Sequence, residues 1–387
     1  MRYARLDLVR GGSALIVVAE HLRNATMVDF QRASQSPAWI KGFYFVTGLG
    51  HQAVVVFFVL SGFFVGGAAL KAGIQFQWTT YLSARLSRLW TVLIPCLLLT
   101  YVVDNVVWAT APSVLDGAFA ETWHSAPQSG AYDASLATAV GNLLFLQTIV
   151  VPVYGSNGPL WSLANEFWYY MLFPLMAMAA AKIGERPTVM RRLACALLAV
   201  LVLCFIPFSM LSGYMVWLLG LAVFAARREL VAFMACHFRA AAAGLFGLFA
   251  ACLVLSRLRI IPGVAWGLPD LLLGSAFAAV CAVLIVPGAQ HAAESRFDQF
   301  SSALAQLSYT LYLSHFPLVM LIGAEFYRNE RMPANGASVL VFTGWLVLLL
   351  CVCWALWWLF ERNTSVVRQY VDLLVGQVSA ARRRSRI

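Results

Sequence analysis

Charge is scarce in this chain of 387 residues: Asp, Glu, Lys and Arg together make up 11% and hydrophobic residues 61%. Soluble domains carry about a quarter charged residues, so a water-exposed globular fold is excluded, and so is a disordered or collagen-like chain. Cysteine pairs are missing too. The eight cysteines sit singly in apolar runs, apart from Cys351 and Cys353, which form a CxC within a helical pattern rather than a CxxC. That excludes a disulfide scaffold and a metal site, and the thiols read as small buried hydrophobes. A signal peptide is also lacking, because the first apolar run, Gly11 to Ala19, meets Glu20 and His21 instead of a small-residue cleavage site. No inverted repeat and no low-complexity segment occur, save the closing Arg-rich run.

Long hydrophobic runs take the place of all this. Hydropathy marks spans near 9–28, 43–70, 89–108, 160–181, 193–210, 213–226, 240–255, 267–286, 304–323 and 337–360. The run from Ala139 to Pro152 is shorter than the ~20 residues that cross a bilayer, which makes it re-entrant or interfacial. With the N-terminus in the cytoplasm, twenty of the 27 Lys and Arg residues fall inside and seven outside. Counting 139–152 as a further span would place the basic cluster at 182–192 on the wrong side. Topology thus accounts for the net charge of +10 without nucleic acid. The expectation is an all-α polytopic membrane protein of about ten transmembrane helices with both termini cytoplasmic. Residues 1–361 form the transmembrane domain, 109–159 its outer loop, and 362–387 a basic cytoplasmic tail. The outer loop has no Lys or Arg, carries Asp116, Glu121 and Asp133, and can shape a polar substrate site.

Ionisable residues at membrane depth mark function by default. Arg10 and His21 lie eleven positions apart, which returns to the same face of a helix about 16 Å further along its axis. Arg10 can meet an anion at the inner surface, and a neutral His21 can take a proton from a hydroxyl. Each also reads as an anchor or an interfacial hydrogen bonder. Arg85 and Arg88, at i and i+3, offer two guanidinium forks suited to phosphate, or two inner-edge anchors. In Gly155-Ser156-Asn157-Gly158-Pro159-Leu160-Trp161-Ser162-Leu163-Ala164-Asn165-Glu166, a flexible turn enters a helix with Ser162 and Glu166 on one face. Helix rise places Glu166 near the outer side, at the depth of His21, so that the two can pair; a salt bridge to an Arg of another helix is the structural alternative. His315 follows Tyr312 by one turn and is either functional or a packed core histidine. Ser61 and Gly62 read as a close helix contact. His51 and Gln52 flank the start of the second span, and His124, His237 and His291 fall in loops.

The ordered set of Leu6-Asp7 through Arg10 to His21, Phe57 to Phe63, Arg85-x-x-Arg88, Trp161-Ser162-Leu163 to Glu166, and Tyr309 to His315 resembles the acyltransferase-3 family of integral-membrane O-acyltransferases over nearly the whole chain. Val55 and Glu20 depart from the common pattern. The resemblance implies ten helices, cytoplasmic termini and a bacterial inner-membrane location. It makes Arg10 and His21 the acyl-transfer motif, associates Arg85 and Arg88 with an acyl-coenzyme A donor, and gives Glu166 a functional acidic role. His21 and Glu166 are then catalytic, Arg10, Arg85 and Arg88 hold the donor, and Ser162, Tyr312 and His315 contact substrate. Acyl-coenzyme A, with acetyl-coenzyme A expected, is a co-substrate; no cofactor is permanently bound and no metal is expected. The partners implied are the bilayer and a saccharide acceptor. The acceptor can also be a lipid or a small molecule, and a sugar exporter without chemistry shares the composition. No fused extracytoplasmic hydrolase-like domain is expected after the last span.

Overall fold

A computed structural model describes residues 3–373 apart from 34, 124–125, 186–187, 261–262, 264–265 and 288–294. The basic run Arg382 to Arg386 of the tail, and His124 and His291, lie outside the described residues. Among the described residues the regular elements are all helical. Backbone polar groups in hydrocarbon must be satisfied within the segment itself, and apolar runs of this length therefore coil.

The long helices are α1 (Ala4–Thr26), α2 (Gly50–Ser61), α3 (Trp78–Thr110), α4 (Trp161–Ala179), α5 (Val189–Phe205), α6 (Phe208–Ala225), α7 (Arg227–Arg257), α8 (Leu268–Leu284), α9 (Arg296–Ile322) and α10 (Gly336–Leu359). Six helical segments are long and apolar enough to cross a membrane: Ala38–Gln75, Trp78–Thr110, Phe208–Ala225, Arg227–Arg257, Arg296–Tyr327 and Gly336–Leu373. The four remaining long helices miss that standard for identifiable reasons. α5 and α8 have 17 residues each, α1 carries Arg5, Asp7, Arg10, Glu20 and Arg23, and α4 carries Asn165 and Glu166. Exposed Leu98, Leu193, Leu197, Leu340 and Trp354 give the outside of the bundle a surface suited to lipid.

Several boundaries move from those read in the sequence. Pro207 separates α5 from α6, several residues earlier than hydropathy places the break, because proline cannot continue a helix. His237, read as a loop residue, lies in α7 at its one non-helical φ/ψ position. The second span breaks near Thr47–Leu49, between the helix Ala38–Val46 and α2. α2 then passes through a π-helical turn, Gly62–Gly66, before Gly67–Ala72 completes it.

Glycine sets two close helix crossings. A Cβ on Gly62 would strike the Trp217 carbonyl of α6, and one on Gly220 of α6 would strike the Val59 carbonyl of α2. α2 and α6 therefore meet backbone to backbone, the small-residue packing that replaces the hydrophobic effect between helices in lipid. Gly11 does the same for α1 against Leu304 of α9, seating Arg10 beside α9. α9 packs on α1, α3 and α10 and so runs through the middle of the fold.

The loop before α4 enters the protein. The helix Leu136–Leu143 is capped by Ser135 and ends ahead of left-handed Phe145 and Thr148. Beyond it, Gln147 donates to the Leu160 carbonyl at 2.9 Å and is fully buried. Asn157, also 0% exposed, bonds Cys96 Sγ and Thr100 Oγ1 of α3 at 3.2 Å each and the Leu313 carbonyl of α9 at 3.0 Å. Asp104 of α3 accepts from Ser156 through its backbone N–H (2.8 Å) and its hydroxyl (2.6 Å). Cys96 and Leu313 lie mid-helix, so α4 begins at the level of the bundle's middle.

Candidate active site

That entry point decides what Glu166 meets. Depth counted from the outer face pairs it with His21, but α4 starts deeper and carries Glu166 toward the other end of the bundle. Its neighbours are Arg88 and Arg10, with the Tyr170 and Ser61 hydroxyls on its carboxylate. Ser61 also binds the Tyr170 hydroxyl at 3.1 Å and accepts from Trp217 Nε1 at 3.2 Å, so it serves the site as well as the α2–α6 contact. The pairing of Glu166 with His21 is therefore not formed.

Arg10, Arg85, Arg88, Ser162, Glu166 and Tyr312 line a single cavity enclosing about 960 Å³ of empty space, part of it open to solvent. Phe57, Phe58, Phe64 and Tyr309 supply much of its apolar wall. The three guanidiniums differ in how far they are committed. Arg10 pairs with Asp7 at 3.3 Å and donates to the Ala305 carbonyl at 3.2 Å. Arg88 lies over the Tyr309 ring at 5.9 Å and exerts its charge on Glu166 and Glu361 without coming into ion-pair distance of either. Arg85 rests over the Tyr81 ring at 5.6 Å, likewise has no carboxylate in ion-pair distance among the described residues, and like Arg10 keeps a buried Nε without a hydrogen-bond partner.

Ser162 donates to the Pro159 carbonyl at 3.1 Å and bonds the Tyr312 hydroxyl at 2.9 Å. Tyr312 in turn meets Phe57 edge-on at 5.8 Å and the His315 ring at 6.2 Å. It thus stands between the cavity and a second polar centre, where His21 Nδ1 and His315 Nε2 are 2.8 Å apart. His315, expected to touch substrate, is instead 0% exposed, with Nδ1 at 2.9 Å from the Leu311 carbonyl. His21 is half-buried, and Phe316 lies edge-on against it at 4.9 Å. The cavity thus joins Arg10, Arg85, Arg88, Glu166, Ser162 and Tyr312, while His21 and His315 form a separate pair beyond Tyr312.

A family model described as an acyltransferase domain matches residues 3–358. The chain belongs to the acyltransferase-3 family. The family model is described as an acyltransferase domain, which speaks against an exporter without chemistry. A curated relative, Acyltransferase MdmB of Streptomyces mycarofaciens, is 27% identical over 190 residues, covering 48% of this chain and 42% of that protein. The chain therefore spans less than half the length of the curated relative it matches. No solved structure is similar to the chain at a significant level.

Two polar residues at or beside the cavity escaped the sequence reading. Glu361, just past α10, accepts from Thr310 through its backbone N–H at 3.1 Å and its hydroxyl at 2.6 Å, beside Arg88. The signal was available, since a carboxylate closing a long apolar run obeys the rule that singled out Glu166. Tyr170, one turn beyond Glu166, is the second, with its hydroxyl on that carboxylate. Glu20, unusual beside the histidine, turns away from His21 toward Arg23, Arg257, His51 and the Gly50 N–H. His51 Nε2 pairs with Asp270 at 2.8 Å in the same group.

Proposed function

We propose that the chain is a ten-span O-acyltransferase of the bacterial inner membrane, both termini cytoplasmic, carrying an acetyl group from cytoplasmic acetyl-coenzyme A to a hydroxyl of an extracytoplasmic saccharide. The observation that carries this reading is the cavity with Arg10, Arg85 and Arg88 on its wall and Tyr312 leading from it, through His315, to His21. Phosphates of the donor meet Arg85 and Arg88, because Arg10 is already held by Asp7. Glu166 and Glu361 offset part of the positive charge of the empty cavity. The pantetheine arm lies along Phe57, Phe64 and Tyr309 and ends toward Tyr312.

His21 takes the proton of the acceptor hydroxyl as its oxygen attacks the thioester carbonyl carbon. The C–S bond breaks, and the proton passes from His21 to the departing sulfur, leaving coenzyme A as a thiol. Ser162 and Tyr312 hold the thioester end in place, and Glu166 sets the position of Arg88. The test is acetyl transfer from labelled acetyl-coenzyme A in membranes that contain the native acceptor. Arg85→Ala is expected to raise the apparent KM for acetyl-coenzyme A about tenfold or more with kcat little changed, since phosphate contacts bind ground and transition states alike. An unchanged KM would remove the donor from this cavity.

A further inference from the structure

Nitrogen protonation in the His21–His315 pair follows from its contacts. His315 Nδ1 faces the Leu311 carbonyl at 2.9 Å, and a carbonyl only accepts, so this nitrogen carries the hydrogen. A neutral imidazole has one N–H, which leaves His315 Nε2 with a lone pair. His21 Nδ1 lies 2.8 Å from that lone pair, a separation that requires one proton between them, and only His21 can supply it. The two ring planes are 6° apart with centroids separated by 5.1 Å, which is the N···N distance plus the two ring radii. The bond therefore lies in the plane of both rings and is not a face-to-face stack. Full burial of His315 and the edge of Phe316 against His21 hold the geometry.

We propose that His315 is a positioning residue that fixes His21 in its Nδ1–H form and leaves His21 Nε2 as the one nitrogen able to take a proton. This rests on the reading of His21 as the base. When Nε2 receives the acceptor's proton, His21 becomes a cation carrying both N–H groups. His315 Nε2 then accepts a charge-assisted hydrogen bond from Nδ1. The shared proton stays on His21 Nδ1, because a cation at the fully buried His315 costs more than one at the half-buried His21, and the proton on His21 Nε2 leaves with the coenzyme A sulfur. An isolated neutral histidine prefers its hydrogen on Nε2, the wrong nitrogen for this task, so the backbone carbonyl of α9 sets the tautomer of α1 through one intervening ring.

The experiment uses the full chain in lipid bilayers with ¹⁵N-labelled histidine, read by solid-state NMR and assigned with His21→Ala and His315→Gln. The expected spectrum shows His21 protonated at Nδ1 and bare at Nε2. In His315→Phe, which fills the space without an acceptor, the His21 hydrogen moves to Nε2. Acetyl transfer from labelled acetyl-coenzyme A should fall about a hundredfold or more in kcat for His315→Phe with the donor KM unchanged. His315→Gln, whose side-chain oxygen can accept from Nδ1, should stay within about tenfold of wild type. A hydrogen on Nε2 of His21 in the wild type, or equal kcat for the Phe and Gln variants, overturns the proposal. The wild-type spectrum decides it even if His315→Phe fails to insert. Wild-type activity in His21→Ala would instead overturn the assignment of the base while leaving the hydrogen bond to be read in the spectrum.

Discussion

At the scale of single residues, the arginines divide by what neutralises them. Arg85 rests on Tyr81 and can be removed at little cost to the fold, whereas the charge of Arg88 acts on both Glu166 and Glu361. Arg88→Ala is therefore expected to lower the yield of folded protein, because two buried carboxylates lose the cation that offsets their burial. Arg85→Ala should not, and detergent-solubilised yield separates the two. A double-mutant cycle of Glu166→Gln with Arg88→Gln, read from thermal melts, should show coupling of about 0.5–3 kcal/mol. Additive losses would mean that the two side chains act apart. The residue types at this site were legible in the sequence: Arg10, Arg85, Arg88, Ser162, Glu166 and Tyr312 all line one cavity. Their pairing was not, because it depends on the depth at which α4 starts. Asn157 fixes that depth through contacts with Cys96, Thr100 and Leu313, far away in sequence.

Elements show the same division between local pattern and long-range contact. Hydropathy located the long apolar helices, and the Gly62 contact was read correctly as close helix packing. Its partner, Gly220, could not be seen without the crossing of α2 and α6. Since a Cβ at either glycine meets backbone, neither neighbour can yield by changing rotamer. Gly220→Val is expected to destabilise the protein by about 1–3 kcal/mol or more, seen as a lower melting temperature, where Gly244→Val on open α7 surface should not. The loop before α4 has its own control. Asp133 accepts from the Ser135 N–H at 2.8 Å and the Thr138 hydroxyl at 2.5 Å, and these bonds hold its carboxyl below the ordinary range. A depressed folded pKa means that this stabilisation is present above the usual aspartate value of about 3.9 and is lost as pH falls through the lowered one. Protection factors for hydrogen exchange over 134–143 should therefore fall in acid, and Asp133→Asn should flatten that pH dependence.

For the molecule as a whole, six helical segments among the described residues are long and apolar enough to cross, and the proposed ten-span topology needs α1, α4, α5 and α8 to cross as well. Polar and charged side chains, Arg10 and Glu166 of the cavity among them, lower the apolar character of α1 and α4. Reporter fusions at Gln128 and Glu185 should read outside and inside respectively; Glu185 outside would overturn the arrangement. The central claim, that His21 moves the acceptor's proton during acyl transfer, has one direct measurement. Membranes holding equal amounts of inserted wild-type or His21→Ala protein are given labelled acetyl-coenzyme A and their native acceptor, and labelled product is counted. Label in the wild type and none above background in His21→Ala is the result predicted; equal labelling by the two proteins would contradict the account.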